Sequence, residues 1–350
     1  MIPAIDYTFV HPAFMLNGFY FSKEDLSRVA YAYIKEGSDF EQQMGRFLLD
    51  WFDANNYIVM HTSGTTGKPK EIRVSKQAMV HSALATGRFF DLPARTKALL
   101  CLPLHYIAGK MMMVRALVLG WELDVVPPSS DPLQGIKTGY DFAALVPLQA
   151  EESIQQLYKI KQVILGGAKV NAALAEKLGS LPTAVYETYG MTETVSHIAV
   201  KRVGEAAFTV LPDVAITTDD RQCLVIDTPK LSEKLLITND VVDVIDESHF
   251  EWKGRFDNVI NSGGIKLFPE QIEEKLAPHI ARRFFVAGVA DDRLGNRLVL
   301  VIEGKPYDID ETIFSSLGKF EKPREVIFRE QFAETASGKV IRHKSLDAAL

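Results

Sequence analysis

Residues Thr62-Ser63-Gly64-Thr65-Thr66-Gly67-Lys68-Pro69-Lys70 gather the groups that hold phosphate into one short stretch. Gly64 and Gly67 open backbone shapes closed to other residues and let the chain approach a ligand closely. Successive N–H groups and the Ser/Thr hydroxyls can then point at phosphate oxygens, and Lys68 and Lys70 supply matching positive charge. The apolar run just ahead, 57–61, reads as a strand that empties into this loop. It is not a Walker A loop. The glycine spacing is too short, and Pro69 follows the lysine where that loop needs a helix.

Further along come Leu102-Pro103-Leu104-His105, Gly166-Gly167-Ala168, Tyr189-Gly190-Met191-Thr192-Glu193-Thr194, Thr238-Asn239-Asp240, Gly254-Arg255-Phe256-Asp257, Gly263-Gly264 and Ser337-Gly338-Lys339-Val340-Ile341-Arg342. With the loop, and across residues 58 to 345, these segments resemble the adenylate-forming superfamily of acyl-CoA synthetases, luciferases and peptide-synthetase adenylation domains. The resemblance implies ATP, Mg2+ and CoA as the bound species, and two steps. A carboxylate attacks ATP, giving an acyl-adenylate and pyrophosphate. A thiol then takes the acyl group and AMP leaves.

The same resemblance assigns roles. Thr62 to Lys70 would hold the phosphates. Gly166, Gly167 and Ala168 would line the nucleotide and acyl pocket, where missing side chains make room for flat rings. Tyr189 and Gly190 would meet the adenine and Thr192 the α-phosphate. Glu193 would bind Mg2+, for which one carboxylate suffices because phosphates supply the other ligands. Asp240 would accept from the ribose hydroxyls, and Arg255 would reach the ribose and phosphates. His105 would sit beside the acyl pocket, steering the carboxylate or gating the site. Lys339 would meet the attacking carboxylate and the α-phosphate, offsetting charge that builds in the pentacoordinate transition state. That lysine would obstruct the thiol step, so the family rotates its C-terminal domain between steps. Asp257 resembles the hinge, and Gly263 and Gly264 the segment that lines the thiol's tunnel. Glu71, Lys169 and Asn239 stand where the family usually has glycine, proline and glycine. The region before Thr62 is short for the family, which implies a reduced N-terminal subdomain.

These residues need a scaffold. Helical spacing predicts helices over 24–33, 40–52, 109–119 and 171–178, with Ser75 capping another that carries Met79, Ala83 and Thr86. Strands are expected at 98–102, 122–126, 142–147, 162–165 and 184–189. Alternating strands and helices predict a large layered α/β domain. Short strands at 224–227, 235–238 and 241–246 predict a β-rich subdomain within it. Beyond them, strands at 284–290, 297–302 and 325–328 alternate with helices at 269–276 and 309–317. That predicts a small, mobile α+β C-terminal domain, so the division is 1–256 and 257–350, at Asp257.

The net charge is -6 with both signs interspersed, which argues against a nucleic-acid partner. The apolar stretch 111–121 is too short to span a bilayer and contains Arg115, so membrane insertion is not expected. Cys101 and Cys223 form no CxxC pattern, and the N-terminus has no basic n-region; both fit a cytoplasmic protein. A homodimer is a separate expectation. Residues 104–113, with Ile107-Ala108-Gly109-Lys110-Met111, and Val195-Ser196-His197 look most like the short o-succinylbenzoate–CoA ligases of menaquinone biosynthesis. Such a substrate carries an aromatic ring and two carboxylates. Its distal carboxylate would need a cation or several donors, for which Lys169, Arg115 and His197 are candidates. Another aryl- or short-chain acyl-CoA ligase, a stand-alone enzyme loading a carrier protein, and an inactive nucleotide-binding protein are the alternatives. Retention of Glu193, Arg255, Asp257 and Lys339 argues against the last.

Overall fold

The computed structural model describes residues 5–62, 70–334 and 340–347. A short hairpin, β1 (Met15–Leu16) and β2 (Phe19–Tyr20), precedes helices α1 (Lys23–Glu36) and α2 (Asp39–Phe52). Each helix is started by a capping box, Ser22 with Asp25 and Ser38 with Glu41. The two pack closely because Gly45 offers no side chain: a Cβ there would lie 2.6 Å from the Ala30 carbonyl.

The strand expected at 57–61 is β3 (Tyr57–Thr62). It pairs antiparallel with β4 (Lys70–Ser75), a partner the sequence pattern does not reveal, and Thr62 lies opposite Lys70. Ser63, Gly64, Thr65, Thr66, Gly67 and Lys68 fall outside the described residues, as does Lys339.

After α3 (Lys76–Phe89), capped by Ser75, the chain alternates β5 (Lys97–Leu100), α4 (Ile107–Leu119), β6 (Glu122–Val125), β7 (Tyr140–Leu145), α5 (Pro147–Glu152), β8 (Ile160–Leu165), α6 (Ala172–Gly179) and β9 (Ala184–Gly190). The five strands are parallel, in the order β6-β5-β7-β8-β9. Their residues divide between two cores: Ala98, Leu100, Phe142 and Ala144 pack toward α3 and α4, while Leu99, Ala143 and Leu145 pack toward α5 and α6. A sheet buried on both faces accounts for the near-continuous apolar runs of these strands. Pro147, expected to end a strand, instead opens α5.

The sheet continues antiparallel through β10 (His197–Arg202), β11 (Ala207–Val210), β12 (Ala215–Thr218), β13 (Cys223–Asp227), β14 (Leu236–Asp246) and β15 (His249–Arg255), reaching 13 strands. The short strands expected at 235–238 and 241–246 are one strand, β14. Its register shifts between Val241 and Val242, and such irregularities break the alternation a sequence reader relies on.

A second sheet holds β16 (Ile260–Ser262), β17 (Ile265–Leu267), β18 (Phe284–Asp291), β19 (Gly295–Glu303) and β20 (Glu325–Arg329), with α7 (Pro269–Leu276) and α8 (Arg342–Asp347) beside it. Ile272, Leu276, Val286, Leu300 and Phe314 form its own core. The helix expected over 309–317 is only a 3-10 turn, Glu311–Ser316, begun by Asp310 and buried through Phe314. The second sheet meets the first where α7 packs on β15. A Cβ on Gly254 would lie 2.5 Å from Glu270 Oε2, so the helix closes directly on glycine backbone.

Candidate active site

Ligands of open parallel sheets bind outside the carboxyl ends of the strands. Gly166, Gly167 and Ala168 leave β8 at that edge, and Tyr189 and Gly190 end β9 beside them. The Thr188 hydroxyl donates to the Leu165 carbonyl at 2.9 Å, and a Cβ on Gly166 would press that hydroxyl at 3.0 Å. Gly190 is needed for a different reason. The chain doubles back into β10, so a Cβ there would lie 2.4 Å from the Ser196 carbonyl oxygen.

Asp240 on β14 and Arg255 on β15 are cross-strand partners. The Tyr189 hydroxyl donates to Asp240 Oδ2 at 2.8 Å, the Trp252 indole N–H donates to Oδ1 at 3.2 Å, and Arg255 stands 3.6 Å from Oδ1. Tyr189, Asp240 and Arg255 are thus brought together. Trp252 completes the group; its only sequence clue was an indole N–H that needs a partner when buried. Burial, and then the charge of Asp240, pushes the Tyr189 phenol above its ordinary range, so it stays a donor. A carboxylate offers about four acceptor positions, so Asp240 keeps capacity for a further donor such as a ribose hydroxyl.

Thr192 and Glu193 lie on a single 3-10 turn, Thr192–Thr194. Glu193 is exposed, and among the described residues no group of three or more His, Cys, Asp or Glu could hold a metal. One carboxylate completed by phosphates is the donor set magnesium takes. The next residue, Val195, is β-branched yet has φ 68 and ψ -55, with the Ser196 N–H donating to the Thr194 carbonyl at 2.7 Å. Such a turn typically costs about 1–3 kcal/mol. It delivers Ser196 and His197 to the interior.

There they meet Arg115 of α4. Its guanidinium is fully buried and donates to Thr86 Oγ1 at 3.3 Å and Ser196 Oγ at 3.1 Å, with His197 Nδ1 at 3.5 Å. No carboxylate pairs with it among the described residues. Lys169, by contrast, is exposed and bound to Glu274 at 3.0 Å. His105 is exposed as well. Its ring meets Gln43 of α2 at 3.2 Å and Tyr106 at 4.0 Å, apart from the Tyr189–Asp240 group.

Burial, and then the charge of Arg115, holds the His197 imidazole well below 6.5 and therefore neutral. The folded state refuses a proton that the unfolded chain accepts, so this stability is full above pH 6.5 and lost as pH falls below it. We expect His197 to contribute a decline in unfolding free energy below pH 6.5 of at most about 1.4 kcal/mol per pH unit. His197→Gln should flatten that decline in urea titrations at pH 7.5 and 5.5; an unchanged slope would remove His197 as its cause.

Gly263 and Gly264 form the two-residue turn between β16 and β17, with φ 57 and 82. Both values are left-handed, as a tight hairpin of this kind demands. The segment that the resemblance assigns to the thiol's tunnel is thus a tight hairpin. Asp257 is exposed, and its carboxylate accepts from Asn239 Nδ2 at 3.2 Å.

An edge of this kind suits a nucleotide, and the chain does belong to a nucleotide-using class. It is a member of the AMP-binding enzyme family, whose model matches residues 28–233. It is 35% identical to an acyl-CoA synthetase (AMP-forming)/AMP-acid ligase II-like protein of Dyadobacter fermentans of known structure, covering 92% of this chain and 98% of that one, with a TM-score of 0.63. It is 23% identical to the 2-succinylbenzoate–CoA ligase of Listeria monocytogenes and 28% identical to that of Escherichia coli. The matches cover 84% and 75% of this chain but 70% and 62% of those enzymes.

Proposed function

We propose that the protein is an AMP-forming acid–CoA ligase whose acid is 2-succinylbenzoate. The observation that carries the choice of acid is Arg115. A fully buried guanidinium with no carboxylate beside it among the described residues is costly, and the distal carboxylate of a dianionic acid would repay that cost. Its planar fork matches a carboxylate bidentately. Of the three cations and donors considered from sequence, Lys169 is engaged by Glu274 and His197 is neutral, which leaves Arg115 as the charge.

In this reading Tyr189, Asp240 and Arg255 hold the nucleoside of ATP, residues 62–70 its phosphates, and Thr192 and Glu193 the α-phosphate and Mg2+. Gly166 to Ala168 border the acyl group, with His105 at its approach. Lys339 assists adenylation, and residues 257–350 then turn about Asp257 to admit CoA. A cleft beside Gly263, lined by Lys319, Phe320, Lys322 and Arg324, supports a phosphorylated thiol substrate there. Two buried free cysteines support a cytoplasmic setting. Among the described residues no helix is long and apolar enough to cross a membrane.

The test is to mix the protein with ATP, Mg2+, CoA and 2-succinylbenzoate and to measure the CoA thioester by mass spectrometry. Thioester with AMP released in step is the expected result. AMP formed only with a different acid would discard 2-succinylbenzoate and keep the class. No AMP with any acid in a broad panel would overturn the ligase reading.

A further inference from the structure

Asn239 stands where the resemblance led us to expect glycine, and its side chain is fully engaged. Its Oδ1 accepts from Arg221 at 2.8 Å, and its Nδ2 donates to Asp257 at 3.2 Å. A donor on one side and an acceptor on the other fix the orientation of the amide. Arg221 is itself held rigidly. Asp219 takes its Nε at 2.8 Å and its other terminal nitrogen at 2.7 Å, and the Thr238 carbonyl accepts from it at 3.1 Å. Asp219 is anchored in turn by the backbone N–H groups of Arg221 and Cys223. The same guanidinium lies over the Phe256 ring, 5.2 Å from its centroid.

Residues 256 and 257 are therefore gripped together, Phe256 by the face of Arg221 and Asp257 through Asn239. Both lie on the short 3-10 turn, Phe256–Asn258, that separates the last strand of the first sheet from the first strand of the second. These gripping groups sit on the turn between β12 and β13 and on β14, within the first sheet, where Arg255 of β15 also stands 3.6 Å from the Asp257 carboxylate. We propose that Arg221 and Asn239 form a brace that resists rotation at Phe256–Asp257 and so sets how readily the C-terminal part changes orientation between the two half-reactions. The proposal rests on the hinge assignment made above and names residues that regulate it. Backbone rotation at 256–257 swings the Asp257 carboxylate off the amide, so the brace exists in one orientation only and biases the equilibrium toward it. Asn239 and Arg221 are positioning residues, since neither is placed on the nucleotide or the acid.

Two variants test this. Asn239→Gly installs the residue expected from the family and removes both bonds. Asn239→Asp keeps the bond to Arg221 and sets a like charge against Asp257. Hydrogen exchange of the amides at 256–260 is expected to speed up roughly three- to tenfold in Asn239→Gly and further in Asn239→Asp, with global melting unchanged. The ratio of single-turnover adenylation to thioester formation is expected to shift by a similar factor. Unchanged exchange in both variants would overturn the brace. Two half-reactions slowed by the same factor would overturn its bearing on catalysis. A wild-type protein that adenylates no acid would sink the ligase reading while leaving the exchange result to judge the brace by itself.

Discussion

With Lys339 replaced by alanine, acyl-adenylate formation is expected to fall about 10^3-fold, while thioester formation from premade acyl-adenylate falls less than about tenfold. Charge accumulates at the α-phosphate as the carboxylate attacks, and one well-placed cation is worth several kcal/mol there. No such charge develops in the same place when a thiol attacks the carbonyl of the mixed anhydride. The described residues nearest this lysine, 333–334 and 340–342, are anchored. Glu334 and Val340 pair as a bridge, the Ile341 N–H donates to the Ala333 carbonyl at 2.7 Å, and Arg342 reaches Glu273 at 2.7 Å. Alanine at 339 should therefore remove a charge while leaving these contacts in place. Pyrophosphate release in the absence of CoA reports the first step, and rapid-quench thioester formation reports the second. Equal losses in both would take the adenylation role away from Lys339.

Residues whose constraint is local were the legible ones. Gly190 and Gly263-Gly264 stand out in the sequence through the family resemblance, and the structure supplies a local backbone reason for each: the chain turns straight into β10 after Gly190, and a two-residue hairpin needs positive φ at 263 and 264. The parallel strands were legible because burial on both faces makes them apolar throughout. What stayed hidden depends on partners distant in sequence. β4 pairs across a loop, β14 carries register shifts, and the strands from β10 to β12 are short and mixed in polarity. Nothing local distinguished Arg115 from Lys169 as the cation for a second carboxylate. Glu274, 105 residues away, engages one, whereas α3, α4 and β10 close over the other. Trp252 was missed for the same reason, because its partner Asp240 lies on the neighbouring strand.

Arg115 gives the second large effect. Arg115→Met is expected to lower kcat/KM for 2-succinylbenzoate about 10^2- to 10^3-fold, the usual loss when one partner of a buried charge pair is cut away. The loss should fall mainly on KM, since the distal carboxylate is bound alike in ground and transition states. Activity with an analogue lacking that carboxylate should change little, so specificity for the diacid collapses even if total activity does not. Arg115→Lys should be intermediate, because an ammonium keeps the charge but not the fork. Stability separates this role from a structural one. Among the described residues Arg115 is buried without a carboxylate and makes hydroxyl, thioether and imidazole contacts alone. Methionine of similar length should therefore leave the melting temperature unchanged or raise it, since burying an unpaired charge destabilises the fold. A fall in melting temperature with equal losses on both acids would make Arg115 a structural residue and leave the second carboxylate without a partner.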